Sequence, residues 1–161
     1  MIKLSRLTDY AVVVLAEMSR TPGALAAASM LAAKTGIPEP TVSKVLKTLS
    51  RNGLIASVRG VAGGYRLDRD AAEIPVSLII TAMEGPISLT SCVSGSHDIC
   101  ALEGTCSMKG RWNPVNAAIN AALSEVTLAH MLAPSLVIPA KTGIPGRQAQ
   151  DPGFRRNDRS I

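Results

Sequence analysis

The chain has 161 residues, 47% of them apolar and 18% charged, a balance that supports a packed core and excludes a wholly disordered chain. No apolar run approaches the roughly 20 residues that cross a bilayer. The opening Met1-Ile2-Lys3-Leu4-Ser5-Arg6 lacks the apolar stretch and small-residue cleavage site of a secretory signal, so the expectation is a cytoplasmic protein with no membrane partner.

The first periodic segment places Leu7, Tyr10, Ala11, Val14, Leu15 and Met18 on one helix face, with Ser5 or Thr8 as its cap and Thr21-Pro22-Gly23 as its stop. An Ala-rich helix is predicted from about Ala26 to Thr35, ending at Gly36. A third helix starts near Pro38 to Pro40, turns Val42, Val45, Leu46 and Leu49 inward and closes at Asn52-Gly53. Leu54 to Arg59 and Tyr65 to Leu67 then read as two short strands around a glycine-rich turn. Three helices and a hairpin within residues 1–70 are the layout of a winged helix-turn-helix. Helical patterning returns from Pro75 to Glu84, and residues 86–110 form a loop holding all three cysteines. Asn113-Pro114 opens a long helix with Val115, Ile119, Ala122, Val126 and Ala129 along one stripe, free to pair with its copy. The fold expected is therefore mainly α with a small β-hairpin wing, a winged helix-turn-helix followed by a long C-terminal dimerisation helix. Residues 71–132 carry the cysteine loop and dimerisation helices, and residues 133–161, with no periodicity, are expected to be a disordered basic tail.

Charge separates these regions. Residues 1–70 hold ten Lys/Arg against five Asp/Glu, whereas residues 71–132 hold two against five. A basic N-terminal half suits a polyanion partner. On the third helix, Thr41, Ser43, Lys44, Lys47, Thr48 and Arg51 face away from the apolar stripe. In a DNA reader such a face lies in the major groove, with N-terminal side chains at base edges and lysines at phosphates. One amphipathic helix alone would be read as an ordinary solvated face. The hairpin changes that, because Arg59 stands at its shoulder and Gly60, Gly63 and Gly64 permit close approach to a narrow groove. An aromatic content of 2% argues against stacking on single strands and so for a duplex.

Cys92, Cys100 and Cys106 are spaced C-x7-C-x5-C in a Gly- and Ser-rich loop. An odd count in a cytoplasmic chain fits thiols or metal ligands better than a disulfide framework. Soft thiolates suit iron, zinc or copper(I), yet zinc favours closely paired cysteines that are absent here, and three are one short of the usual cluster set. Spacing alone leaves a cluster, redox-active thiols and inert cysteines open.

The strings Leu7-Thr8-Asp9-Tyr10-Ala11, Gly36-Ile37-Pro38-Glu39-Pro40-Thr41-Val42-Ser43-Lys44-Val45-Leu46-Lys47 and Arg59-Gly60, then Gly63-Gly64-Tyr65-Arg66-Leu67, resemble the Rrf2 family of bacterial transcription regulators. Glu84-Gly85-Pro86-Ile87, the three cysteines, Trp112 and Asn116 extend the likeness over roughly residues 1–132, and the wording is most similar to the branch that regulates iron–sulfur assembly by the SUF system. The resemblance implies a cytoplasmic homodimer that binds a double-stranded DNA operator. It implies contacts from Thr41, Ser43, Lys44, Lys47, Arg51, Arg59, Gly60, Gly63, Gly64 and Tyr65. It also implies an iron–sulfur cluster, [2Fe–2S] or [4Fe–4S], on Cys92, Cys100 and Cys106. Where some members place a histidine ligand after the last cysteine this chain has Lys109; others use an aspartate of the partner subunit's first helix, a position that Asp9 matches. His97, Glu103, glutathione and water compete for that fourth place. Ser43 stands where relatives with switchable operator choice have a glutamate. A nitric-oxide-responsive repressor or a cluster-free thiol switch of the same fold is the alternative. The stretch from about Val137 to Asp158 resembles translated interspersed-repeat sequence. Two scattered histidines and the absence of hydrolase or nucleotide-binding strings argue against an enzyme and against a small-molecule substrate.

Overall fold

The computed structural model describes residues 3–60, 63–96, 98–102 and 104–133. Helix α1 (Arg6–Met18) begins where Ser5 adopts extended backbone and its hydroxyl accepts the Thr8 amide at 3.2 Å. Helix α2 (Ala28–Thr35) ends on Gly36 at φ +73°, the left-handed conformation glycine tolerates best. Helix α3 (Glu39–Arg51) starts after Pro38, with Pro40 in its first turn. Its stripe is complete: Val42, Val45, Leu46 and Leu49 are fully buried. These three helices pack on one another, and Leu15, Leu31 and Leu54 fill the centre.

Strands β1 (Ala56–Val58) and β2 (Gly64–Arg66) pair antiparallel, with Ala56 opposite Arg66 and Val58 opposite Gly64. The outer edge of β2 is tied to the segment before α2, since Ala26 and Tyr65 exchange both backbone hydrogen bonds, at 2.8 and 2.9 Å. The hairpin is thereby fixed to the helical core. A methyl group at Gly63 would overlap the Val58 carbonyl oxygen, and one at Gly64 would lie 2.9 Å from the Ala26 carbonyl oxygen. Gly63 therefore permits the hairpin's own turn, and Gly64 permits its close approach to the segment before α2.

A 3₁₀ turn at Ala71–Glu73, capped by Asp70, leads into α4 (Val76–Glu84). Helix α4 packs on α1, α3 and α5 (Asn113–Glu125). The single long C-terminal helix expected from the sequence is divided. It stops at Glu125, and a short α6 (Leu128–Leu132) follows. Two local competitors end it. Thr127 caps α6 reciprocally with His130, its hydroxyl accepting the His130 amide while its own amide donates to His130 Nδ1. The Val76 amide also donates to the Val126 carbonyl, and the Leu128 amide to the Ile74 carbonyl, both at 2.8 Å. Leu128 is thereby fully buried and α6 is turned back against α1. The tail expected from residue 133 lies, Ala133 apart, outside the described residues.

Candidate DNA interface and cysteine loop

With its apolar stripe buried, α3 presents Lys44, Lys47 and Arg51 to solvent, while Thr41, Ser43 and Thr48 are half-buried along the same side. Arg59 and Gly60 are exposed at the wing, Gly60 at φ +121°. The ion pairs among the described residues are Arg20–Glu17, Lys34–Glu17 and Arg66–Asp68. Lys44, Lys47, Arg51 and Arg59 enter none of them, so their charge is available to a polyanion. Arg66 is different. Asp68 accepts from both Nε and Nη2 of its guanidinium, raising its pKa above the ordinary value by hydrogen bonding and by charge. Tyr65 is half-buried against the core, where its backbone carries the Ala26 pairing.

The cysteine loop departs from α4 through Gly85 at φ +91°. Two asparagines one turn apart on α5 then bind it. Asn116, only 7% exposed, accepts the Leu89 amide and donates to the Ile87 carbonyl, both at 3.0 Å. Asn113 accepts the Ser94 amide at 2.9 Å and donates to the Ser94 hydroxyl at 3.2 Å. Val93 is buried between these ties. The first stretch of the loop is thus a fastened strap, a feature the Gly- and Ser-rich composition concealed; an asparagine on a helix face is the signal that could have shown it. Beyond it, turns close from Leu102 to Thr105, Cys106 to Lys109 and Met108 to Arg111.

All three cysteines are half-buried and none is in a disulfide; Cys92 Sγ lies 3.3 Å from the Thr90 hydroxyl. Their chemistry suits a thiophilic metal or an iron–sulfur cluster. Among the described residues, however, no three His, Cys, Asp or Glu side chains gather where they could hold a metal ion. Asp9 is exposed in the first turn of α1. His97 and Glu103 lie outside the described residues.

At the loop's departure point, Glu84 joins α4 to α1. Its Oε1 accepts the Ser5 amide at 2.8 Å and the hydroxyl of the fully buried Thr8. The Thr8 hydrogen bond holds the Glu84 carboxyl below its ordinary pKa; burial opposes this, and the Ser5 bonds add to it. At the C-terminal end of α3, Asn52 Nδ2 donates to the Thr48 and Ala82 carbonyls, each at 3.0 Å, linking α3 to α4.

A tri-helical core with a hairpin wing tied back to it makes the fold a winged helix, and Lys44, Lys47, Arg51 and Arg59 enter none of the ion pairs among the described residues. Residues 4–134 match the Rrf2 family, described as iron-dependent transcriptional regulators, and the chain belongs to that family. A curated relative, the HTH-type transcriptional regulator IscR of Serratia proteamaculans strain 568, is 33% identical over 99 residues, which are 62% of this chain and 59% of the relative. The match thus spans about three fifths of that protein's length. Among solved structures, T. potens IscR is 28% identical with a TM-score of 0.54, covering 81% of this chain and 86% of that one. CymR, the global cysteine regulator of B. subtilis, is 24% identical with a TM-score of 0.61 over 82% of this chain and 97% of its own, a likeness of fold. No described helix is long and apolar enough to cross a membrane.

Proposed function

We propose that the chain is a homodimeric, sequence-specific regulator whose cysteine loop reports iron–sulfur status or redox stress, controlling genes of iron–sulfur assembly. Three half-buried thiols on a loop strapped to α5, one short link from the helix that buttresses α3, carry this reading. The IscR relatives add support for a cluster.

Thr41, Ser43 and Lys44 would meet base edges, Lys47 and Arg51 phosphates, and Arg59 with Gly60 a groove edge. Two copies would read half-sites about 34–36 Å apart. The pairing surface is α5, where Val115, Ala118, Ala121 and Ala122 are left exposed within one chain; small residues there let helices approach closely.

Cys92, Cys100 and Cys106 would hold the cluster, [2Fe–2S] or [4Fe–4S], with the partner subunit's Asp9 as fourth ligand. When bound, the cluster supplies a redox-active centre. This chain's own contribution is the strap: Asn113 and Asn116 orient the segment carrying Cys92. The second reading, a cluster-free thiol switch, is favoured by the lack of a gathered donor set among the described residues.

Anaerobic iron and sulfide quantitation on wild type, Cys92→Ala and Cys106→Ala, with duplex binding measured alongside, decides between them. Iron and sulfide lost in either variant support the cluster. Iron-free wild type whose duplex affinity responds to thiol oxidation supports the switch. Asp9→Ala with unchanged iron removes Asp9 from the ligand set.

A further inference from the structure

The last turn of α4 touches every part that a regulator of this design must connect. On one side, Asn52 at the C-terminal end of α3 donates to the Ala82 carbonyl at 3.0 Å. On another, the Glu84 carboxylate holds the first turn of α1 through the Ser5 amide and the Thr8 hydroxyl. Immediately after it, Gly85, whose amide is bonded to the Thr81 carbonyl at 3.0 Å, and Pro86 lead into the strap that Asn116 fastens at Ile87 and Leu89. Only Gly85 and Pro86 separate Glu84 from the strap, and proline fixes φ in one of them.

We infer that this turn, residues 82–84, transmits the state of the cysteine loop to the recognition helix, with Asn52, Glu84 and Thr8 as positioning residues. The inference deepens the proposed function and rests on it. Displacing the strap pulls on Glu84, and the same turn holds α1 by a carboxylate and α3 by an asparagine. Motion there changes the angle between the helix that supports the reader and the reader itself.

The surroundings permit such motion. An open cleft of about 740 Å³ lies beside Glu84, bounded by Leu4, Ile80, Leu89, Ile119 and Leu123. The turn can move into it without repacking the core around Ile79, which is fully buried one turn earlier. The exposed Glu84 carboxylate, unlike interdigitated side chains, can exchange its hydrogen bonds for bonds to water as it moves. Thr8 makes the contact specific: it is a buried hydroxyl whose partners are Glu84 and Ser5, where valine would supply the same shape without the bond.

Coupling is reciprocal, so a duplex that reorients α3 must also alter the loop. The test is the rate of Cys92 alkylation by N-ethylmaleimide, resolved by mass spectrometry, with and without a duplex that wild type selects from a random pool. The inference expects the duplex to change the wild-type rate about fivefold or more, within the usual range for coupled sites. Thr8→Val, Glu84→Ala and Asn52→Ala should still bind the duplex but lose the change, and Thr8→Ser should retain it. Should Thr8→Val fail to fold, Asn52→Ala, at an exposed position, decides the matter. An unchanged wild-type rate, or the same ratio in every variant, overturns the relay. Wild type that retains no duplex overturns the DNA-binding reading beneath it.

Discussion

Thr8 and Glu84, 76 residues apart in sequence, share one hydrogen bond across the α1–α4 seam. The hydroxyl is fully buried and the carboxylate stands at the rim. The bond fastens the N-terminal end of the DNA-binding unit to the helix from which the cysteine loop departs. A negative charge beside the first turn of α1 also lies at the positive end of that helix dipole.

This contact sets a pH dependence. The Thr8 hydroxyl, seconded by Ser5, lowers the Glu84 pKa against the opposing effect of burial. A carboxyl lowered in the folded state contributes stability that is full above its unfolded pKa and is lost as pH falls through the folded value. Glu84→Gln should therefore flatten the acid limb of the stability curve below the ordinary carboxylate range. The loss at neutral pH should be at most about 1 kcal/mol, because solvent screens the exposed group. Urea titrations between pH 3 and 7, on wild type and variant, check it; parallel curves would show that another group sets the acid limb.

Core packing beneath the reader should dominate stability. Leu46 is fully buried between α3 and its neighbours, so Leu46→Ala should cost about 2–5 kcal/mol. Equilibrium unfolding measures it. A cost below 1 kcal/mol would mean the site collapses around the missing atoms.

The solvent face of α3 and the wing should divide the work of duplex binding. Arg59→Ala is expected to weaken affinity by about 1–3 kcal/mol if its guanidinium reaches base edges. Lys47→Ala should weaken all sequences alike and lower the slope of log affinity against log salt by about 1. Salt titrations of each variant separate the two behaviours. Arg66→Ala should change the slope less than Lys47→Ala does, because Asp68 already neutralises that cation.

Releasing the strap should expose the loop without unfolding the protein. Asn116→Ala removes the partners of the Leu89 amide and Ile87 carbonyl, at a cost of about 1–3 kcal/mol if they stay buried. Hydrogen exchange at Leu89 should accelerate, and Cys92 should alkylate faster. Unchanged exchange at Leu89 would place its protection elsewhere.

Local patterning alone was enough to determine the first four helices and the hairpin. The stripes Leu7 to Met18 and Val42 to Leu49 have the helical period, Gly36 ends α2, and the glycines at 60, 63 and 64 mark the turn. The solvent face of α3 was equally legible, because buried positions at three- and four-residue steps leave the others outside. The C-terminal helix was not. Its stripe runs unbroken through Val126 in sequence, and backbone pairing with residues 74–76, distant in the chain, joins the Thr127–His130 cap in making a break at Thr127 favourable. The strap was hidden for the same reason, since Asn113 and Asn116 look like solvent-facing residues until loop amides are folded onto them. Glu84 and Asn52 likewise acquire roles only when α4 lies against α1 and α3. Periodicity records which side of an element is buried; which polar group meets which across a seam is fixed by packing that brings remote segments together.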